Sequence, residues 1–170
     1  MAATAYVGLG SNVGDRLGHL QAAVEALRET QGVERVEASP VYVTEAHVRP
    51  GEPPGPDYLN AVARVETTLA PEDLMGRLYA IEQAQARERI LPWAPRTLDL
   101  DLLLYSDAVR SEQALVLPHP RIALRRFVLA PLHDLAPDLV VPPPLRASVR
   151  DLLARCPDEG RCEATELRLS

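Results

Sequence analysis

The chain has 170 residues, of which 46% are hydrophobic and 25% charged, a composition typical of one globular domain with a sizeable core. Its formal net charge of −6 argues against a general nucleic-acid binder. The N-terminus has no signal-peptide pattern, and no stretch approaches the ~18 apolar residues of a membrane span. We therefore expect a single domain, residues 1–170, in a cytoplasmic protein that binds neither nucleic acid nor membranes.

The first part of the chain reads as a strand, a helix and two more strands. Residues 4–9 are apolar and predict a strand, and the loop 10–15 follows. Helical spacing of the apolar residues after Asp15 predicts a helix to about residue 30. Alternating, β-branched patterns predict strands over 33–44 and 57–68, separated by a proline-rich loop at 45–56.

The second part adds a helix, a strand and a C-terminal extension. Pro71 suits the first position of a helix with Leu74, Leu78 and Ile81 on its buried side. A loop (87–96), a strand within 95–105, a linker (105–114), a turn at Pro118–Pro120 and a helix from about Arg125 follow. The tail, 144–170, predicts one short helix and a possible strand. This order predicts an α+β fold: a ferredoxin-like antiparallel sheet with helices on one face and C-terminal elements covering part of the other.

Two aspartates stand in an otherwise apolar strand. In "RTLDLDLLLY", Leu98, Leu100 and Leu102 share one side, and Asp99 and Asp101 share the other. Adjacent carboxylates repel one another, so something must compensate. One interpretation is a strand side that faces solvent. The other is a divalent-cation site, and Mg²⁺ is the ion that combines few carboxylates with substrate phosphates.

Arginines are concentrated around this pair. The chain has no lysine, which excludes a Walker P-loop and the protein-kinase lysine. Seven of its eighteen arginines fall between residues 87 and 126: Arg87, Arg89, Arg96, Arg110, Arg121, Arg125 and Arg126. The guanidinium fork suits phosphate oxygens, so carboxylates and arginines together indicate phosphoryl-type transfer from a nucleotide.

Other residues are suited to a flat ligand. Asn60 offers a paired donor and acceptor, and Tyr58 and Phe127 are candidates for stacking, although core packing is the commoner role of isolated aromatics. Trp93, between two prolines in a charged loop, is a candidate lid residue. Cys156 and Cys162 indicate either a short-range disulfide or a reduced pair, and we assign them no function.

Taken together, four segments resemble the 6-hydroxymethyl-7,8-dihydropterin pyrophosphokinases of folate biosynthesis. They are "YVGLGSNVGD" at the start, "DYLNAV" at 57–62, "PRTLDLDLLLY" at 95–105 and "LPHPRIALRRFVLAPL" at 117–132. The resemblance implies transfer of an intact pyrophosphoryl group from ATP to the pterin hydroxymethyl oxygen, with release of AMP.

The resemblance also implies roles for individual residues. Asp99 and Asp101 would hold two Mg²⁺ ions, and Arg87 and Arg96 would close over the triphosphate from a mobile loop that also carries Arg89. The remaining nucleotide contacts would come from Trp93, His119, Arg125 and the backbone around Leu102. The pterin would meet Thr44, Tyr58, Asn60, Trp93 and Phe127.

This chain departs from the family pattern at a few positions. Relatives often have proline where Glu45 stands and glycine where Ala94 stands, and some have Arg and Thr where Ala114 and Val116 stand. Two alternatives stay open from the residues alone. They are a regulatory domain that binds small molecules on a ferredoxin-like scaffold and another Mg²⁺-dependent nucleotide transferase.

Overall fold

The computed structural model of the chain describes residues 2–46, 50–51, 53, 55–86 and 97–170. In chain order the strands are β1 (Ala3–Ser11), β2 (Val33–Ala38), β3 (Tyr42–Thr44), β4 (Tyr58–Thr67), β5 (Asp99–Tyr105), β6 (Arg110–Glu112), β7 (Leu115–Leu117) and β8 (Cys162–Ala164). The helices are α1 (Arg16–Glu29), α2 (Pro71–Ala86), α3 (Arg126–Leu135) and α4 (Val149–Ala154). No helix in these ranges is long and apolar enough to cross a membrane.

A six-stranded antiparallel sheet forms the centre of the fold. Its strand order is β5-β1-β4-β3-β8, and β2 also pairs with β4. The long strands β1 and β4 pair along nine residues, from Ala3 opposite Thr67 to Ser11 opposite Leu59. The predicted α+β class and antiparallel sheet are confirmed.

The strand predicted over 33–44 is two strands, β2 and β3. Ser39 and Pro40 interrupt it, and the Ser39 backbone N–H donates instead to the Val62 carbonyl oxygen at 2.8 Å. The Ser39 hydroxyl accepts from the Val62 N–H at 2.9 Å. Because proline has no N–H to continue a ladder, the chain leaves and re-enters the edge of β4 here.

The aspartate strand supplies both faces of the sheet with leucines. Leu98, Leu100 and Leu102 lie in the cluster beneath α1 and α2, as predicted. Leu103 continues the alternation of Asp99 and Asp101 and lies in the opposite cluster. The pairing with β1 shifts by one residue between Tyr6 and Val7, which turns Leu104 toward that same cluster. A bulge of this kind re-aims side chains, and the alternation rule alone does not anticipate it.

The C-terminal elements cover part of the second sheet face, as predicted. Helices α3 and α4 bury Leu129, Leu132, Val149 and Leu152 against Tyr6 and Val62 of the sheet. The tail also adds β8 to the sheet edge beside β3, where Thr44 pairs with Cys162. Both cysteines are free.

The linker predicted over 105–114 is partly strand. Residues Arg110–Glu112 form β6 and pair with β7 as a small antiparallel hairpin, anchored by Leu115 and Leu117 in the first cluster. Strand β6 is polar and only three residues long, so its sequence carries no alternation to detect. The predicted loop 87–96 lies outside the described residues.

Candidate active site

A cleft of about 750 Å³ opens at the end of the second sheet face that α3 and α4 leave uncovered. Strands β1, β3, β4 and β5 and the start of α3 contribute to it. The candidate residues that line it are Thr44, Tyr58, Asn60, Asp99, Asp101, His119, Arg125 and Phe127. Residues as far apart in the sequence as Thr44 and Phe127 therefore face one cavity of the size that small-molecule sites have.

The sheet register brings the polar residues of this cleft into adjacent rows. Gly10 of β1 pairs with Asp99 on one side and with Asn60 on the other. Gly8 pairs with Asp101 in the row behind. Each aspartate therefore lies beside a glycine, which has no side chain to fill the space above the sheet. The space for a ligand lies between the two carboxylates and the Asn60 amide.

Gly8 and Gly10 line the cleft, and our sequence reasoning gave neither of them a role. A Cβ at Gly10 would lie 2.7 Å from Asn60 Oδ1, and a Cβ at Gly8 would meet the Leu103 side chain at 3.6 Å. Only glycine at position 10 allows the Asn60 side chain to lie this close to the β1 backbone. The available signal was the period-two spacing of glycines in "VGLGS", which places both on one strand face.

Glu82 of α2 is a second residue that the sequence reasoning missed. Its Oε1 accepts a hydrogen bond from the Leu100 backbone N–H at 2.7 Å. Leu100 lies between the two aspartates on β5, a strand with an outer edge that no other strand pairs with in the described sheet. The glutamate thus satisfies an edge N–H and fixes the backbone that carries both carboxylates.

Arg125 joins the acidic and aromatic sides of the cleft. Its Nη1 lies 3.9 Å from Asp101 Oδ2, and its guanidinium carbon lies 5.5 Å from the centre of the Phe127 ring. The Asp101 side chain is 46% exposed, so a bound ligand has access to it. The long ion pair and the cation–π contact hold the guanidinium at the mouth of the cleft, where it faces an incoming anion.

His119 is held by its backbone and by one ring nitrogen. Its N–H donates to the Leu103 carbonyl oxygen at 2.9 Å, and its Nδ1 accepts from the Arg121 N–H at 3.1 Å. Burial lowers the pKa of His119, and Arg125 and Arg121 lower it further, whereas the Asp101 charge opposes them. Since Nδ1 is an acceptor, the neutral ring carries its proton on Nε2.

Asn60 and Thr44 form a buried polar pair on the other side of the cleft. The Asn60 Nδ2 donates to Thr44 Oγ1 at 2.6 Å, which fixes the amide plane. Tyr58 pairs with Thr44 across β3 and β4 and is half-buried. Burial raises the pKa of Tyr58, and the Asp99 charge makes a smaller contribution in the same direction. Tyr58 and Phe127 both line the cleft, although Phe127 also packs against the second cluster.

The remaining candidates are not among the described residues that line the cleft. Arg87, Arg89, Trp93 and Arg96 lie outside the described residues. Leu102 is 5% exposed and its side chain belongs to the core, so only its backbone is available to a ligand. Conversely, Asn12 lines the cleft with a buried Oδ1 that has no hydrogen-bond partner among the described residues, and our sequence reasoning assigned it no role.

The carboxylate pair fits Mg²⁺ better than a metal with an all-protein ligand set. In the part of the chain that the structure describes, no group of three His, Cys, Asp or Glu side chains could hold a metal ion. Asp99 and Asp101 are two hard oxygen donors on one wall of an open cleft. Mg²⁺ is held by one or two carboxylates while water and phosphate complete its shell.

Comparison with known proteins identifies relatives of this chain. Residues 6–137 match the family model of 7,8-dihydro-6-hydroxymethylpterin-pyrophosphokinase (HPPK). A 2-amino-4-hydroxy-6-hydroxymethyldihydropteridine pyrophosphokinase of Pseudomonas aeruginosa is 43% identical over 155 residues, which cover 91% of this chain and 93% of the relative. The protein of the same name from Haemophilus influenzae is 40% identical, covering 82% of this chain and 85% of its own length.

Solved structures share the fold at low sequence identity. A crystal structure of HPPK-DHPS in complex with substrates matches 91% of this chain with a TM-score of 0.70 and 11% identity. The wild-type Plasmodium falciparum HPPK-DHPS with pterin and p-hydroxybenzoate matches with a TM-score of 0.67 and 13% identity. This chain spans less than half of those two solved chains, 44% and 43%. At this identity the structural likeness supports the fold alone.

Proposed function

Because the chain belongs to the 7,8-dihydro-6-hydroxymethylpterin-pyrophosphokinase family, we propose that its cleft is where the family reaction takes place. The reaction transfers the pyrophosphoryl group of ATP to the hydroxymethyl oxygen of 6-hydroxymethyl-7,8-dihydropterin and releases AMP, a step of folate biosynthesis. The observation that carries the proposal is the row of paired residues Asp99, Gly10 and Asn60. In this row a carboxylate suited to metal and phosphate lies across Gly10 from an amide suited to hydrogen-bonding a flat heterocycle.

The pterin occupies the side of the cleft nearest β3 and β4. Asn60, with its amide plane set by Thr44, hydrogen-bonds the pterin edge, which carries both donors and acceptors. Tyr58 and Phe127 contact the two flat faces of the ring, where aromatic side chains contribute stacking and burial. Gly10 leaves the space that this arrangement needs.

The nucleotide occupies the side nearest β5 and α3. Arg125 and His119 contact phosphate oxygens, and Arg87 and Arg96 complete the cationic surround, with Arg89, Trp93 and the Leu102 backbone as further contacts. Positive charge around a highly anionic triphosphate is what phosphoryl transfer requires of its protein. The guanidinium group of arginine can bind two oxygens at once, so it also orients the phosphates.

Asp99 and Asp101 are the residues that would hold Mg²⁺, two ions in our proposal. When bound, Mg²⁺ neutralises phosphate charge and lowers the pKa of the attacking hydroxyl group. In this proposal the chain orients the pterin hydroxymethyl group toward the phosphate side, and Asp99 accepts the hydroxyl proton. With both substrates bound, the filled cleft excludes water, so the pyrophosphoryl group reaches the pterin oxygen and is not hydrolysed.

Three broader features belong to the same proposal. The order β5-β1-β4 followed by β2 and β3 supports a ferredoxin-like arrangement of the sheet. We propose that residues 1–170 act as a single pyrophosphokinase domain with ATP and the pterin as its small-molecule partners. A cytoplasmic location and the absence of nucleic-acid binding stay predictions from the sequence.

The nucleotide product tests this proposal. Purified protein is incubated with ATP, Mg²⁺ and 6-hydroxymethyl-7,8-dihydropterin, and the nucleotides are separated by chromatography. We expect AMP to form in a one-to-one ratio with pterin consumed, because attack at the β-phosphorus releases AMP. ADP as the sole nucleotide product, or AMP formation that does not depend on the pterin, would contradict the proposal.

A further inference from the structure

Arg161, in the C-terminal tail, contacts Glu45 and Asp57, which adjoin two residues on the pterin side of the cleft. Its Nη1 donates to Asp57 Oδ2 at 3.0 Å. Its backbone N–H donates to Glu45 Oε1 at 3.2 Å, and the Glu45 N–H donates to its carbonyl oxygen at 3.3 Å. Glu45 directly follows Thr44, and Asp57 directly precedes Tyr58.

The sheet register explains why one residue reaches both positions. Thr44 pairs with Tyr58 on one side and with Cys162 on the other. Arg161 precedes Cys162, so it lies level with Glu45, where β3 leaves the sheet and β4 enters it. Gly160 leaves the space for this approach, since a Cβ there would lie 3.0 Å from Glu45 Oε1.

We propose that Arg161 is a positioning residue for the pterin: it holds Glu45 and Asp57 together and thereby fixes Thr44 and Tyr58 at the cleft wall. This inference rests on the proposed function, because it concerns the pterin side of that same site. The family model matches residues 6–137, so the inference gives a role to a part of the chain beyond that match.

The local geometry makes this restraint specific to the pterin. Thr44 sets the Asn60 amide plane through a 2.6 Å hydrogen bond, and Tyr58 begins the same strand that carries Asn60. Glu45, the residue after Thr44, is held by hydrogen bonds with the Arg161 backbone. Within the described part of the chain, Asp101, His119 and Arg125 on the nucleotide side form no hydrogen bond or ion pair with Glu45, Asp57 or Arg161, so nucleotide binding should not respond.

A second arginine reinforces the Asp57 end. Arg16, the first residue of α1, donates from Nη1 to the Asp57 carbonyl oxygen at 2.7 Å. Asp57 is therefore held through its backbone by Arg16 and through its side chain by Arg161. Removal of the Arg161 guanidinium should loosen the aspartate without releasing it, which favours a graded effect over a collapse of the wall.

The expected effect is modest because the pair is partly exposed. The Arg161 side chain is 49% exposed and that of Asp57 is 38% exposed. Exposed ion pairs contribute little, so the Arg161→Gln variant should bind the pterin only about threefold to fivefold more weakly. Binding of the nucleotide and the thermal unfolding midpoint should change little.

The test measures binding directly. Binding of 6-hydroxymethyl-7,8-dihydropterin in the presence of Mg²⁺ and α,β-methylene-ATP is measured by calorimetry for wild type, Arg161→Gln and Arg161→Lys. Lysine retains one charged contact to Asp57 and should recover part of the affinity. The same titrations measure the nucleotide alone, and steady-state kinetics separate the pterin KM from kcat.

Arg150→Gln is the matched control. Arg150 is also an exposed arginine of the tail, paired with Asp138 at 3.0 Å, and it is not among the described residues that line the cleft. Its variant should match wild type in both titrations. The Asp57→Asn variant and the double variant Asp57→Asn/Arg161→Gln complete a cycle, in which the double variant should bind the pterin no more weakly than the weaker single variant.

The outcomes are distinguishable. If wild type binds the pterin and forms AMP while Arg161→Gln binds it equally well, the positioning role is wrong and the proposed function stands. Equal losses for pterin and nucleotide, or for Arg161→Gln and Arg150→Gln, would also overturn the role, because they indicate a general structural effect. If wild type binds no pterin, the proposed function fails and the positioning role fails with it.

Discussion

The second face of the sheet has two halves that differ in what lies above them. In the covered half, Tyr6, Val62 and Leu103 are buried beneath α3 and α4. In the open half, the same three strands continue with Gly8 and Gly10 on β1, Asn60 on β4, and Asp99 and Asp101 on β5. A shift of two residues along each strand therefore separates core from site.

The start of α3 marks the boundary between the halves. Arg125 precedes the helix and Phe127 lies in its first turn, and both line the cleft. Leu129 and Leu132, farther along, are fully buried against the sheet. The comparison teaches that a sheet face becomes a site where its covering helix ends, since only there do the strands need small or polar residues.

Loss of one carboxylate from the open half should have the largest effect on activity. The Asp101→Asn variant keeps the size of the side chain but removes a charge that faces Arg125 at 3.9 Å and that would hold metal. We expect kcat/KM to fall by roughly 10³-fold or more, because stabilisation of charge is usually the largest catalytic contribution. Steady-state AMP formation at saturating Mg²⁺ measures it.

The same variant separates the two substrates. Binding of MgATP should weaken strongly, while binding of the pterin, which the Asn60 side recognises, should weaken little. Asp138→Asn, a change of an exposed aspartate in the tail, serves as the control and should match wild type. Metal-dependent turnover close to the wild-type rate in Asp101→Asn would show that the open half is not a metal site.

A cavity in the covered half should reduce stability and leave the chemistry intact. Leu132 is 0% exposed in the cluster beneath α3. The Leu132→Ala variant should lose about 2–5 kcal/mol of unfolding free energy because it creates a cavity in a packed core. Urea denaturation measures the loss, and the pterin KM of the folded variant should stay within about twofold of wild type.

Leu124→Ala is the matched control for that change. It removes the same atoms from a residue that is 56% exposed, so its unfolding free energy should change by less than about 0.5 kcal/mol. If Leu132→Ala instead raised the pterin KM as strongly as it lowered stability, the two halves would not be separable. The boundary at the start of α3 would then have no functional meaning.

Much of this division was predictable from the sequence. The alternation in "LDLDL" correctly assigned Leu98, Leu100 and Leu102 to the core and both aspartates to the opposite face. The helices after Asp15, Pro71 and Arg125 were also correctly placed, because capping residues and apolar spacing are local signals.

The missed features depend on contacts between distant segments. The bulge that re-aims Leu104 exists only in the pairing of β1 with β5, and the Glu82 bond to Leu100 joins a helix to a strand edge. Gly10 appears as an ordinary strand glycine until its pairing partners, Asp99 and Asn60, are known. Register, unlike periodicity, is not written in a single segment.

Addition of a methyl group at Gly10, in the open half, should weaken pterin binding. The effect should be smaller than the loss of activity in Asp101→Asn. In the Gly10→Ala variant the new Cβ would meet Asn60 Oδ1 at 2.7 Å, so the Asn60 amide must shift. We expect about a tenfold to thirtyfold loss of pterin affinity, equivalent to about 1.4–2 kcal/mol, measured by calorimetry.

Gly8→Ala is the comparison that sharpens this result. Its Cβ would meet only the flexible end of Leu103 at 3.6 Å, an ordinary contact distance. Pterin affinity should therefore change by less than about threefold. Equal effects of the two alanines would mean that Asn60 is not the residue through which Gly10 acts.

The smallest effect concerns the thiol of Cys162, beside the boundary between the two halves. Its Sγ lies 3.9 Å from the Arg126 carbonyl oxygen at the start of α3. Burial raises the pKa of Cys162 to about 11, with the Asp158 charge also raising it and Arg126 lowering it. A raised pKa reduces the thiolate fraction at neutral pH, so alkylation should be slow at pH 7 and accelerate steadily up to pH 11. Iodoacetamide labelling of the Cys156→Ser variant, followed by mass spectrometry, measures this rate. A labelling rate at pH 7 equal to that of a free cysteine would show that the Cys162 thiol is not buried beside the start of α3.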